Sequence, residues 1–130
     1  MFMANLDFNK NDDKIRLLIS EMKRKHTILS LGGGKEKIAK QHKKGKLTAR
    51  ERINYLKDPN SKFLEIGSFA GHEMYEEYGG CPSAGVVGGL IYIKGKLCIV
   101  VANDATVKAG AWFPITAKKK SKISRNIYRK

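Results

Sequence analysis

Apolar residues recur at helical spacing first and at strand spacing later. Ile15, Leu18, Ile19 and Met22 follow the i, i+3, i+4, i+7 pattern of an amphipathic helix. Asp12 and Asp13 can cap its start, and Lys23, Arg24, Lys25 and His26 suit its negative end. The pattern predicts a helix over about 12–28, with 1–9 irregular. Gly32-Gly33-Gly34 ends that run, and a short helix is expected over about 35–44 with Ile38 on a thin apolar side. Thr48 and Glu51 fit a capping box for a third helix, Ala49 to about Lys57, burying Ile53, Leu56 and Tyr55. Asp58-Pro59-Asn60 stops it.

Beyond residue 60 the period becomes that of strands. Phe63, Leu64 and Ile66 suggest a short strand, and 67–84 a glycine- and acid-rich connection. Residues 85–93 and Leu97–Ala102 flank Lys94-Gly95-Lys96, which reads as an antiparallel hairpin with a tight turn. The second strand is apolar throughout, so cover on both faces is expected. Pro114 suits the first turn of a further helix.

Composition bounds the answer. The chain has 130 residues, 42% hydrophobic and 29% charged, as expected of one folded domain rather than a disordered chain. No apolar run approaches the roughly 20 residues of a membrane span, and no secretory signal is visible. Cys81 and Cys98 are too few for a disulfide framework, which points to reduced thiols and a cytoplasmic location. The net charge of +14 is uneven: residues 23–52 carry +9, residues 118–130 carry +7, and the remainder is −2. Such charge invites a nucleic-acid reading. Against it, aromatics are not interleaved with the basic residues and no nucleic-acid motif is present.

Several signatures fail. Gly32-Gly33-Gly34-Lys35 lacks phosphate-loop spacing and precedes a helix without following a strand, so it reads as a linker. His26, His42 and His72 are too dispersed for zinc, and no metal is expected. Cys98 in an apolar strand and Cys81 in a glycine loop read as structural thiols, and Asp104 as a turn or cap residue.

Five stretches together carry a resemblance. They are Leu31-Gly32-Gly33-Gly34, Gln41-His42-Lys43-Lys44-Gly45-Lys46-Leu47-Thr48-Ala49-Arg50-Glu51-Arg52-Ile53, Phe69-Ala70-Gly71-His72, Met74 to Ser83, and Val100 to Pro114. In order and spacing they resemble the N-terminal region of carboxyltransferase (beta) subunits of biotin-dependent acyl-CoA carboxylases. The branch is the methylcrotonoyl-CoA/propionyl-CoA type, and the match runs from about residue 10 to Lys119.

The resemblance implies a crotonase-like α/β fold of ββα units, incomplete here and preceded by N-terminal helices. The expected division is a helical segment 1–60, the start of the carboxyltransferase domain 61–119, and a divergent basic tail 120–130. The family reaction is carboxyl transfer from carboxybiotin to an acyl-CoA, with the enolate oxyanion held by backbone N–H groups. Biotin belongs to a partner biotin carboxylase/biotin carrier subunit, acyl-CoA is the substrate, and full-length relatives form homo-oligomers. CoA carries phosphates, and Lys46, Arg50 and Arg52 are candidate partners for them. Arg50 and Arg52, two residues apart, point to different helix faces, so one can meet CoA while the other forms an intrachain ion pair. Lys108, Ala109 and Gly110 would line the acyl-CoA pocket or form a structural turn. Trp112 and Phe113 read as core or interface aromatics.

After Lys119 the family pattern stops. The change falls inside a lysine run, so residues from about 120 are expected to be an out-of-frame tail. No catalytic residue is assigned, and the chain is expected to be inactive alone. A basic nucleic-acid-binding module or a non-catalytic interaction module is the alternative.

Overall fold

The computed structural model describes residues 2–128, with side chains described from residue 5 to residue 125. Helix α1 spans Phe2–Ser30, α2 Lys35–Lys43, α3 Ala49–Leu56 and α4 Pro114–Tyr128. Three strands, β1 (Leu64–Glu65), β2 (Val86–Ile93) and β3 (Lys96–Asn103), form an antiparallel sheet in the order β1-β2-β3. The β2–β3–α4 succession is the ββα order that the resemblance implies.

The hairpin forms as its sequence predicts. Val86 pairs with Asn103 and Ile93 with Lys96. Lys94 and Gly95 both take positive φ, which matches the twist of the flanking strands. Asp58 does more than stop α3. Its carboxylate accepts the N–H groups of Lys94 and Gly95 at 2.6 and 2.7 Å, and so pins the turn.

The core lies on the α3 side of the sheet, where Ala49, Ile53, Val87, Ile91 and Ala102 pack together with Phe63, Ile93 and Val100. α3 has the full capping box: Thr48 Oγ1 accepts Glu51 N–H and the Glu51 carboxylate accepts Thr48 N–H. On the opposite face α4 packs against β2 through fully buried Ile123. Gly88 makes that approach possible, since a Cβ there would sit 2.7 Å from Ile123 Cδ1.

Several expectations are corrected. α1 starts well before residue 12, because nothing in 2–11 breaks a helix and Asp12 pairs with Arg16 at 2.7 Å. Its Ile15, Leu18, Ile19 and Met22 stripe is exposed, and the helix reaches the core only at Leu29. Tyr55 and Leu56 are exposed beside buried Ile53, since an eight-residue helix turns only a narrow face to the sheet. β3 is an edge strand with Leu97, Ile99 and Val101 open, not covered on both faces. Cys98 is therefore half-exposed, whereas Cys81 is buried, and burial pushes its thiol up. Separately, α4 runs from Pro114 to Tyr128 across position 119/120; residues 129 and 130 lie outside the described residues.

Candidate functional site: a basic cleft beside α3

The end of β3 leads into the loop that shapes the site. Asp104 is buried, and its N–H donates to Gly85 O at 2.9 Å. Its carboxylate accepts both the N–H and the hydroxyl of Thr106. Thr106 Oγ1 in turn accepts Gly33 N–H at 2.9 Å. The triple glycine is thus a linker with a steric purpose. A Cβ on Gly33 would lie 1.8 Å from Thr106 O, and one on Gly32 2.3 Å from Asp104 Oδ2. Asp104 is the turn residue the sequence suggested, and it also ties the helical segment to the sheet.

Two adjoining hollows form a cleft between α3, β3 and this loop. One, of about 680 Å³, includes Arg52, Tyr55, Leu56, Val101, Asn103 and Lys120 in its lining. The other, of about 450 Å³, includes Lys46, Thr48, Arg52 and the run Asn103–Thr106. Leu47, Arg52 and Asn103 are common to both, so the hollows share a wall. Lys46, Arg52 and Lys120 face one acid, Asp104, whose charge is already engaged by Thr106. Among the described residues, neither Lys46 nor Arg52 has a carboxylate within ion-pair distance.

Arg50 points the other way. Its guanidinium donates to both oxygens of Glu65, at 2.7 and 2.9 Å, and to Ser30 O at 3.1 Å. This bidentate pair binds α3 to β1 and to the end of α1, and Glu65 is largely buried. Of the two arginines, Arg50 makes the ion pair and Arg52 stays available.

Lys108, Ala109 and Gly110 form a separate turn, and none of them lines the cleft. All three take positive φ (47, 55 and 84°). Lys108 lies against Gly79, where a Cβ would meet its Nζ at 3.3 Å. Trp112 is 60% exposed and so is not a core aromatic; the Lys120 ammonium sits 3.6 Å from its ring centroid. Phe113 is half-buried and packs on Tyr75 with ring centroids 4.6 Å apart.

Lys120 is a site residue that the sequence reading assigned to a tail. Its spacing from Pro114 along one helix was the available signal. Among the described residues, no group of three or more His, Cys, Asp or Glu could hold a metal ion. No helix among them is long and apolar enough to cross a membrane.

The family profile described as the carboxyl transferase domain matches residues 40–130. The chain belongs to the carboxyl transferase domain family. It is 42% identical over 112 residues to the mitochondrial methylcrotonoyl-CoA carboxylase beta chain of Arabidopsis thaliana, covering 86% of this chain and 19% of that one. It is 43% identical over 108 residues to the biotin-dependent 3-methylcrotonyl-coenzyme A carboxylase beta1 subunit of Mycobacterium tuberculosis, covering 82% and 20%. The transcarboxylase 12S structure, described as a hexamer assembly with methylmalonyl-coenzyme A bound, superposes with a TM-score of 0.77 at 31% identity. That match covers 85% of this chain and 22% of that one. The chain therefore spans about a fifth of the length of these relatives.

Proposed function

We propose that the chain supplies the acyl-CoA-binding N-terminal part of a carboxyltransferase that moves a carboxyl group from carboxybiotin to an acyl-CoA. The observation that carries this is the pair of adjoining hollows in which Lys46 and Arg52 stand without carboxylate partners among the described residues. Phosphate is the ligand chemistry such a site recognises, because an Arg fork and a Lys point charge both gain charge-assisted hydrogen bonds from it. Lys120 extends the basic lining toward the apolar floor of Leu56, Val100 and Val101. A phosphorylated ligand with an apolar portion, as acyl-CoA is, fits both parts.

Arg50 contributes by holding α3 rather than by touching ligand. Lys108–Gly110 lies outside this cleft, and its place at the thioester end, where small residues permit close backbone contact, is proposed from the resemblance alone. Biotin would bring the carboxyl group to be transferred. The cleft's charged lining suits phosphate rather than an uncharged ureido ring, so no residue here is assigned to biotin. That group, a biotin carboxylase/biotin carrier subunit and further copies of the chain are the partners proposed. The two free thiols support a reducing compartment, and the cytoplasm is proposed.

The test is titration with CoA and with a single-stranded oligonucleotide at low and high salt. CoA binding that persists in high salt, weakened by Arg52→Gln and Lys46→Gln, supports the reading. Oligonucleotide binding that exceeds CoA binding at both salts would replace it with the nucleic-acid module.

A further inference from the structure

Lys119 is a lysine in the wrong place for a surface charge. It is 5% exposed, on α4, inside one of the two basic runs. Its Nζ donates to Ser83 O at 2.9 Å and to Val86 O at 2.6 Å. One turn earlier on α4, Thr116 Oγ1 donates to Ala84 O at 2.7 Å. Three carbonyls around one turn, those of Ser83, Ala84 and Val86, are thus held by two α4 side chains.

That turn needs holding. Ser83, Ala84 and Gly85 all take left-handed φ (52, 56 and 66°), and two of them are not glycine. Such residues persist only where surrounding contacts over-determine them. Gly85 then accepts Asp104 N–H at 2.9 Å, and Asp104 orders Thr106. Asn103–Thr106 is one wall of the basic cleft. A continuous chain of hydrogen bonds therefore runs from Lys119 through the Ser83–Gly85 turn to the site.

We propose that Lys119 is a positioning residue for the cleft: by gripping the carbonyls of Ser83 and Val86 it fixes the left-handed turn that anchors Asp104 and the 103–106 wall. The proposal rests on the CoA reading for its functional consequence, and on geometry alone for the coupling. Glu65 from β1, Arg50 from α3 and Cys81 ahead of the turn face the ammonium, with Lys118 and Lys120 its neighbours on α4. A neutral amine keeps two N–H donors, so the grip does not depend on the charge. Lys119→Met keeps the length and removes the donors. Lys119→Gln keeps an N–H pair on a shorter arm.

Hydrogen exchange on the 130-residue chain, read by region, tests the coupling. Exchange at 104–107 should rise at least tenfold in Lys119→Met and less in Lys119→Gln, while 88–93 in β2 stays within twofold of wild type. CoA affinity should fall at least threefold in Lys119→Met and recover in part in Lys119→Gln. Unchanged exchange at 104–107, or an equal rise across β2 and 104–107, would overturn the proposal. If wild type binds no CoA, the functional reading fails, while the exchange pattern still decides whether Lys119 holds the wall.

Discussion

Arg50 and Arg52 stand two residues apart on α3 and meet opposite surroundings. Arg50 faces Ser30 and a largely buried Glu65 and spends its donors on both. Arg52 faces the cleft and has no acidic partner among the described residues. A rotation of about 200° along the helix separates a bolted side chain from one left open to the cleft. The two faces of α3 therefore make different promises: one concerns stability, the other binding.

The sharpest way to break this contrast is Arg50→Met. Removing the bidentate partner leaves the largely buried Glu65 carboxylate with only His26 at 3.8 Å and the Lys119 ammonium nearby, and should cost about 2–3 kcal/mol, discounted because Arg50 itself is 28% exposed. The urea midpoint would show it, and a midpoint shift no larger than that of Arg52→Gln would remove the distinction. Lys119→Met follows at about 1–2 kcal/mol, since two buried carbonyls lose their donor while a buried ammonium is also removed.

That variant carries a pH signature. Burial lowers the Lys119 ammonium from 10.5 to about 8. Between those values the unfolded chain binds more protons than the folded one, so the Lys119 contribution to stability rises with pH over that window. The deficit of Lys119→Met should be flat below pH 8 and widen from there to 10.5; a deficit that narrows over that range would contradict the assignment. Thr48→Ala should cost about 1 kcal/mol through the lost cap, read by the same urea midpoint. Smallest of all, Arg52→Gln should change the midpoint by less than about 0.5 kcal/mol while reducing CoA affinity severalfold.

Local signals gave the elements, and long-range contacts gave the site. Spacing and turn chemistry placed the capping box, the hairpin and the β2–β3–α4 order, because each is decided within a few residues. Spacing also said that Arg50 and Arg52 must part; the identity of the ion-paired one depended on Glu65, 15 residues away on another element. The stripe on α1 is legible in the sequence as apolar, but periodicity reports a face and not what covers it, and this face is exposed. β3 shows the same limit from the other side: a run apolar at every position forms an edge strand. Lys119 was hidden by its neighbours in a lysine run. Its spacing with Thr116 and Ile123, all three buried, marks the inner face of α4 and was the signal available.

The central claim is that the cleft beside α3 binds the phosphates of CoA through Lys46 and Arg52. Calorimetric titration of CoA into wild type, Arg52→Gln and Lys46→Gln, each verified as folded, tests it most directly. The account predicts saturable binding in wild type and at least fivefold weaker binding in each variant, with urea midpoints unchanged. Equal affinity in all three proteins, or no binding in wild type, would contradict it.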